Sequence, residues 1–211
     1  ATLGIMLFSM MDAVMKGQAL AMGTYNAMFW RVLMGAICVS LLYLPTRPIA
    51  ASGRVLKIHI IRATLTAVMA YLFFYGLTRI PLAQAIGLSF IAPIITLFLA
   101  VPLLGERIGA NAKLAAALGF GGVIVVVGGE VLSVGPEGDL LGMGAVLLSA
   151  VMYAFNLILQ RMQALIAKPL EIAFYQNIIV FVILLLAAPF AASLPVNAIQ
   201  WGGAALAAAL A

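Results

Sequence analysis

The chain is a series of apolar runs, each about 18–24 residues long, separated by short polar breaks. A helix crossing a hydrocarbon core of ~30 Å needs about 20 apolar residues. Runs at 2–21, 26–44, 58–78, 82–104, 112–130, 140–160 and 171–190 are predicted to span, and an eighth starts near 198 and runs to Ala211. Glycine and proline recur inside these runs, as membrane helices permit and soluble helices rarely do. Charged residues make up 8% of the chain, against roughly 25% in a soluble domain. A soluble globular fold is therefore excluded, and the expected class is an all-α, polytopic integral membrane bundle.

The start of the series is rewritten further along. Gly4-Ile5-Met6-Leu7-Phe8-Ser9 is echoed by Gly144-Ala145-Val146-Leu147-Leu148-Ser149, and Ala27-Met28-Phe29-Trp30-Arg31 more weakly by Ala173-Phe174-Tyr175-Gln176-Asn177. Five hydrophobic segments separate the two starts, so an odd number of crossings turns the second copy upside down. Inverted repeats of this kind are common in secondary transporters, with the substrate site between the halves. The copies divide at 1–131 and 132–211. A second copy as long as the first would carry about two more helices, so a truncated C-terminal part is expected.

The net charge of +5 invites a nucleic-acid reading, but the placement of the charges opposes it. Arg47, Arg54 and Lys57 share one connection, Arg107 and Lys113 the next but one, Arg161 and Lys168 the next but one again. The connections between are poorer in basic residues. That alternation is the positive-inside pattern and puts the N-terminus in the cytoplasm, with the chain in the inner (plasma) membrane. The single cysteine, Cys38, lies within an apolar run, which leaves no disulfide framework and no metal-ligand spacing. Asp12 and Lys16 interrupt the first run, so it is not the core of a signal peptide.

Local signals refine the helices. Pro93 removes a backbone bond to Ser89 and is predicted to kink the fourth span, where a freed carbonyl must be buried or line a wet path. Asp139, after the Gly-Pro-Glu-Gly stretch, is placed to N-cap the sixth span. Gly119, Gly121, Gly122, Gly128 and Gly129 stack along the fifth span. Packing within the chain is the preferred reading of that face, and a homodimer contact the alternative.

The polar residues inside the runs are the candidate site. Asp12 and Lys16 lie four apart near the middle of the first span, on one helical face and in the favourable order for pairing. A central charge costs roughly 2.5–3.5 kcal/mol to insert, so neither should face lipid. They read as a cavity wall or as a mutually neutralised structural pair. Phe29-Trp30-Arg31 opens the second span, as an interfacial anchor or as a stacking and cation–π surface for a planar ligand. Arg62 is about 7 Å along the axis from Lys57, near enough to snorkel, and it is kept among the substrate candidates. His59 has no second histidine to support a metal site, and Glu106-Arg107 suggests a cap or an ion pair. Tyr71, Tyr75, Ser89, Tyr153, Asn156, Gln160, Tyr175, Gln176 and Asn177 supply neutral hydrogen-bonding groups that need helix or ligand partners.

The run Ile80-Pro81-Leu82-Ala83-Gln84-Ala85-Ile86-Gly87-Leu88-Ser89-Phe90-Ile91-Ala92-Pro93, closing with Leu104-Gly105-Glu106-Arg107, resembles the EamA repeat of the drug/metabolite transporter superfamily. Phe29-Trp30-Arg31 and the glycine-rich fifth span agree with it. The resemblance implies ten helices in two inverted five-helix halves, a central cavity, and alternating access with no cofactor. Asp12-Ala-Val-Met-Lys16, with Phe29-Trp30-Arg31 and His59-Ile-Ile-Arg62, is most similar to members associated with S-adenosylmethionine or related metabolites. The superfamily also holds exporters of amino acids and drugs. Two other classes compete with a carrier. An intramembrane enzyme needs a base beside an activated nucleophile, which one histidine, one buried cysteine and scattered serines do not supply. A membrane interaction subunit rests on the glycine face alone.

Overall fold

A computed structural model describes residues 2–46, 51–104, 109–133 and 139–210. Those residues form α1 (Thr2–Met22), α2 (Thr24–Tyr43), α3 (Gly53–Leu77), α4 (Leu82–Ser89), α5 (Ile91–Leu104), α6 (Ala110–Ser133), α7 (Leu140–Ala164), α8 (Pro169–Ala191) and α9 (Ala198–Leu210). The protein is an all-α polytopic membrane protein, with no strand among the described residues. Five stretches, Thr24–Thr46, Gly53–Leu77, Leu82–Leu99, Leu140–Ala164 and Pro169–Ala191, are long and apolar enough to cross a membrane. α1 and α6, of 21 and 24 residues, stand where the first and fifth spans are expected.

Local chemistry sets the breaks. Gly23 alone joins α1 to α2, at φ 83°, a left-handed conformation in which a Cβ would crowd the backbone. The predicted kink in the fourth span is a complete break at Phe90, whose N–H is shared between the carbonyls of Ile86 and Gly87 at 3.2 Å. Pro93 then falls in the first turn of α5, where a missing N–H costs nothing. The Ser89 hydroxyl donates to Ala85 O at 2.8 Å. Asp139 caps α7 as expected, its Oδ1 accepting from the Gly142 N–H at 3.0 Å. Pro169 opens α8 at its first turn.

The helices gather into two compact units, 1–67 with 163–211, and 68–162. These are units of packing, and their limits fall within α3 and α7 rather than at the 131/132 boundary of the sequence repeat. In the first unit α2 packs on α1, α8 and α9, around Met15, Met28, Val32, Ala36, Val180, Leu184, Ala204 and Ala207. In the second unit α6 packs on α4 and α5. Ala92, Ala150 and Ala154 form a small-residue core there, with Ile91, Ile95, Leu99 and Tyr153 against it. Ser149 Oγ donates to Met69 O at 2.7 Å. Close approach in lipid depends on such small residues.

Two expectations change here. Cys38 is exposed on α2 rather than buried. A Cβ at Gly119, Gly121, Gly122 or Gly128 would meet no described atom within 4 Å, so the preferred packing partner for that face of α6 is not found among the described residues. Glu106 and Arg107 lie outside the described residues.

Candidate functional site

The tight turn at Gly23 lays α1 and α2 side by side, and their facing sides carry opposite charges. Asp12 is only 6% exposed, and the charge that acts on it comes from Arg31 on α2. The two stop short of a salt bridge. Asp12 Oδ1 and Arg31 Nε are both buried without a hydrogen-bond partner among the described residues. Gln176 on α8 is in the same condition at both its amide atoms. Phe29 packing on Phe181, at 5.7 Å between centroids, and Gly35 lying against Asn177 bring the stretches holding Arg31 and Gln176 together. Spacing along α1 suggested Lys16 as the partner of Asp12; the added charge of Arg31 from the neighbouring helix was not foreseen. Lys16 lies one turn on, half-buried.

The aromatic residues beside Arg31 are engaged by the protein. Trp30 Nε1 donates to Ser193 O at 2.8 Å, and the Ser193 N–H donates to Asn26 Oδ1 at 2.8 Å. The Trp30 ring meets Trp201 edge-on at 5.0 Å and Phe29 at 5.3 Å. Tyr25 stacks near Phe29 and donates its hydroxyl to Leu184 O. This cluster ties α2 to the connection between α8 and α9.

A second polar group forms where α3 and α8 begin and α7 ends. Arg62 is 9% exposed and donates from Nη1 to Gln163 Oε1. The snorkelling expected of it does not occur, because a buried amide holds its guanidinium. Gln163 Nε2 in turn meets Nδ1 of His59, which is 1% exposed. His59 Nε2 lies 3.5 Å from Glu171 Oε1, and its ring stacks on Tyr175 at 4.7 Å. The Tyr175 hydroxyl accepts from the Ala51 N–H at 3.2 Å. Sequence reasoning kept Arg62 and Tyr175, set His59 aside and missed Gln163 and Glu171.

The other candidates lie in the second unit. Tyr71 and Tyr75 stack at 6.5 Å, and the Arg79 guanidinium lies 4.7 Å over the Tyr75 ring. Arg79 Nη1 reaches Asp139 Oδ2 at 2.7 Å. That bond, with the Gly142 N–H, holds the Asp139 carboxyl below the ordinary carboxylate range, and Asp139 holds the Arg79 guanidinium above its own. Ser89 is occupied within α4, Pro93 is exposed, Tyr153 joins the alanine core and Asn156 is buried.

Residues 1–128 match the EamA-like transporter family. Over 108 residues the chain is 28% identical to the pseudopaline exporter CntI of Pseudomonas aeruginosa strain UCBPP-PA14, and equally to that of strain PAO1. The matched stretch is 51% of this chain and 38% of each relative, so the chain spans well under two thirds of the curated relatives it matches.

Proposed function

Because the chain belongs to the EamA-like transporter family, we propose that this membrane transporter moves small zwitterionic metabolites, of the amino-acid or S-adenosylmethionine kind, by alternating access. One observation carries the reading: buried Asp12 feels the charge of half-buried Arg31 across the hairpin without a salt bridge, and each has a buried polar atom left without a partner. A charged group inside a membrane helix is a functional group by default. A solute ammonium suits the carboxylate, and a solute carboxylate suits the guanidinium, whose planar fork binds it in two places. Gln176, on the α8 stretch that packs against α2, offers a further donor and acceptor. The solute leaves chemically unchanged. In this reading the N-terminus lies on the cytoplasmic side of the inner membrane, which the basic connections favour. Export, as in the named relatives, is a second reading, favoured by the match to the pseudopaline exporter.

Counterflow of labelled amino acids and S-adenosylmethionine into liposomes holding the full-length protein tests the substrate class. Zwitterions are expected to exchange, and blocking either the amine or the carboxylate to stop them. The double variant Asp12→Asn with Arg31→Gln removes both charges together, so the loss is read without stranding one. Transport by that variant at the parental rate would overturn the assignment. Orientation is read separately, from single cysteines at Ser52 and Val196 in a Cys38→Ser background. An impermeant thiol reagent added outside intact cells is expected to label only the second.

A further inference from the structure

We propose that His59 is a proton-binding site whose loading opens a latch between α3 and α7, and so couples transport to protons; the coupling rests on the carrier reading above, while the latch does not. The hydrogen-bond chain assigns the histidine tautomer. A guanidinium has donors only, so the Arg62 contact fixes Gln163 with Oε1 toward Arg62 and Nε2 toward His59. An amide nitrogen donates, so His59 Nδ1 accepts, and the ring hydrogen sits on Nε2, turned to Glu171 at 3.5 Å. Stacking on Tyr175, itself tied to Ala51, keeps the ring in that plane.

The lone pair on Nδ1 is the place for a second proton. Once it binds, the Nδ1–H faces the Gln163 amide N–H, donor against donor. Turning the amide over restores an acceptor for His59 but presents its N–H groups to Arg62, donor against donor again. One proton on His59 therefore displaces Arg62 Nη1 from Gln163, and the α3 to α7 link through that amide is lost. The proton comes from water, adds to a lone pair and leaves the same way; no electrons change hands.

The facing groups carry both signs. Glu171 on α8 lies 3.5 Å from Nε2, and Arg62 on α3 meets the same Gln163 amide as the ring. Tyr175 on α8 stacks on the ring, Tyr43 on α2 couples to Glu171 and Tyr175, and Gln163 on α7 is neutral. A histidine under opposed influences is the usual protein device for a switch in the physiological range. All of these residues lie within one compact unit.

The chain holds a single histidine, so nitrogen-15 labelling of histidine, with a His59→Gln sample to identify the signal, reads this site directly in the full-length protein. Near neutral pH, Nδ1 is expected as a bare acceptor and Nε2 as protonated. On acidification the ring should charge in one step with shifts of the Gln163 amide and the Arg62 guanidinium. In Gln163→Glu a carboxylate accepts from Nδ1–H, and the ring should stay charged to higher pH. If that variant does not fold, the parent spectrum decides alone. A ring hydrogen on Nδ1 at neutral pH, or charging with no change at Gln163 and Arg62, would overturn the latch.

Coupling is read in liposomes with the membrane potential clamped. One proton per solute gives about tenfold accumulation per pH unit, expected to vanish in His59→Gln while exchange at equal pH persists. If zwitterions exchange but neither protein responds to a pH gradient, the coupling is wrong and the substrate reading stands. If no zwitterion moves while the ring, Gln163 and Arg62 switch together, the substrate reading fails and the latch stands.

Discussion

The two compact units keep their charges in opposite ways. In the first, Asp12, His59 and Arg62 are buried and answered by groups on other helices. In the second, the paired charges Arg79 and Asp139 sit partly exposed at the helix ends, and the interior is alanine, glycine and valine in close contact. A membrane helix bundle holds together well on small-residue packing, and the second unit does so. Buried charges in the first unit are therefore not needed to hold helices together. They oppose folding unless answered, and the solute and proton sites proposed above rest on them.

The comparison breaks if the buried charges prove dispensable. Arg31→Leu leaves Asp12 without its opposite charge on α2, and removing one partner of a buried pair costs roughly 3 kcal/mol or more. Thermal unfolding of the purified protein should show the largest loss of any single change considered, with Asp12→Leu close behind. An unfolding midpoint equal to the parent's would mean that water reaches both charges.

Packing should dominate the second unit. At Gly76 a Cβ would overlap the Val146 side chain and lie 2.9 Å from Gly142 O. Gly76→Ala is expected to destabilise by roughly 1–3 kcal/mol through overpacking. A smaller loss, about 1 kcal/mol, is expected for Gly23→Ala, from a side chain forced into the left-handed region. It should appear as a lower unfolding midpoint with the helix content unchanged.

The exposed pair should matter least. Arg79→Gln is expected to leave the midpoint near neutral pH within error. Asp139 has its carboxyl held below the ordinary range, so its contribution is full above the unfolded value, near 3.9, and disappears as pH falls through the lower folded value. Any gap between parent and Arg79→Gln should therefore close only in acid below about pH 4. A gap that opened between pH 5 and 8 would shift attention to His59.

What the sequence showed and what it hid follow one physical line. Run length and Pro93 foretold the spans and the break before α5, and Asp139 its own cap, because each acts within four residues of itself. Asp12 pointed to Lys16 because helical spacing reaches only one turn, whereas Arg31 acts across the hairpin. Gln163 and Glu171 lie in a basic stretch that reads as an interface, and they meet His59 more than a hundred residues away in the chain. Arg62 looked like a snorkelling side chain because its distance from Lys57 is legible and the buried amide that holds it is not.

Gly23 has a consequence for how the protein enters the bilayer. Asp12 lies about 16 Å before that turn and Arg31 about 12 Å after it, at ~1.5 Å per residue. Both charges thus come within a few ångströms of the depth of a midplane ~15 Å from either face. Entering one after the other, each would add roughly 2.5–3.5 kcal/mol against insertion. A one-residue link obliges the two helices to enter as a folded hairpin, acid beside base, so that the charges of Asp12 and Arg31 offset each other and Lys16 alone adds to them. Residues 2–43 thus offset most of their own insertion cost within one hairpin, with no help needed from a later helix.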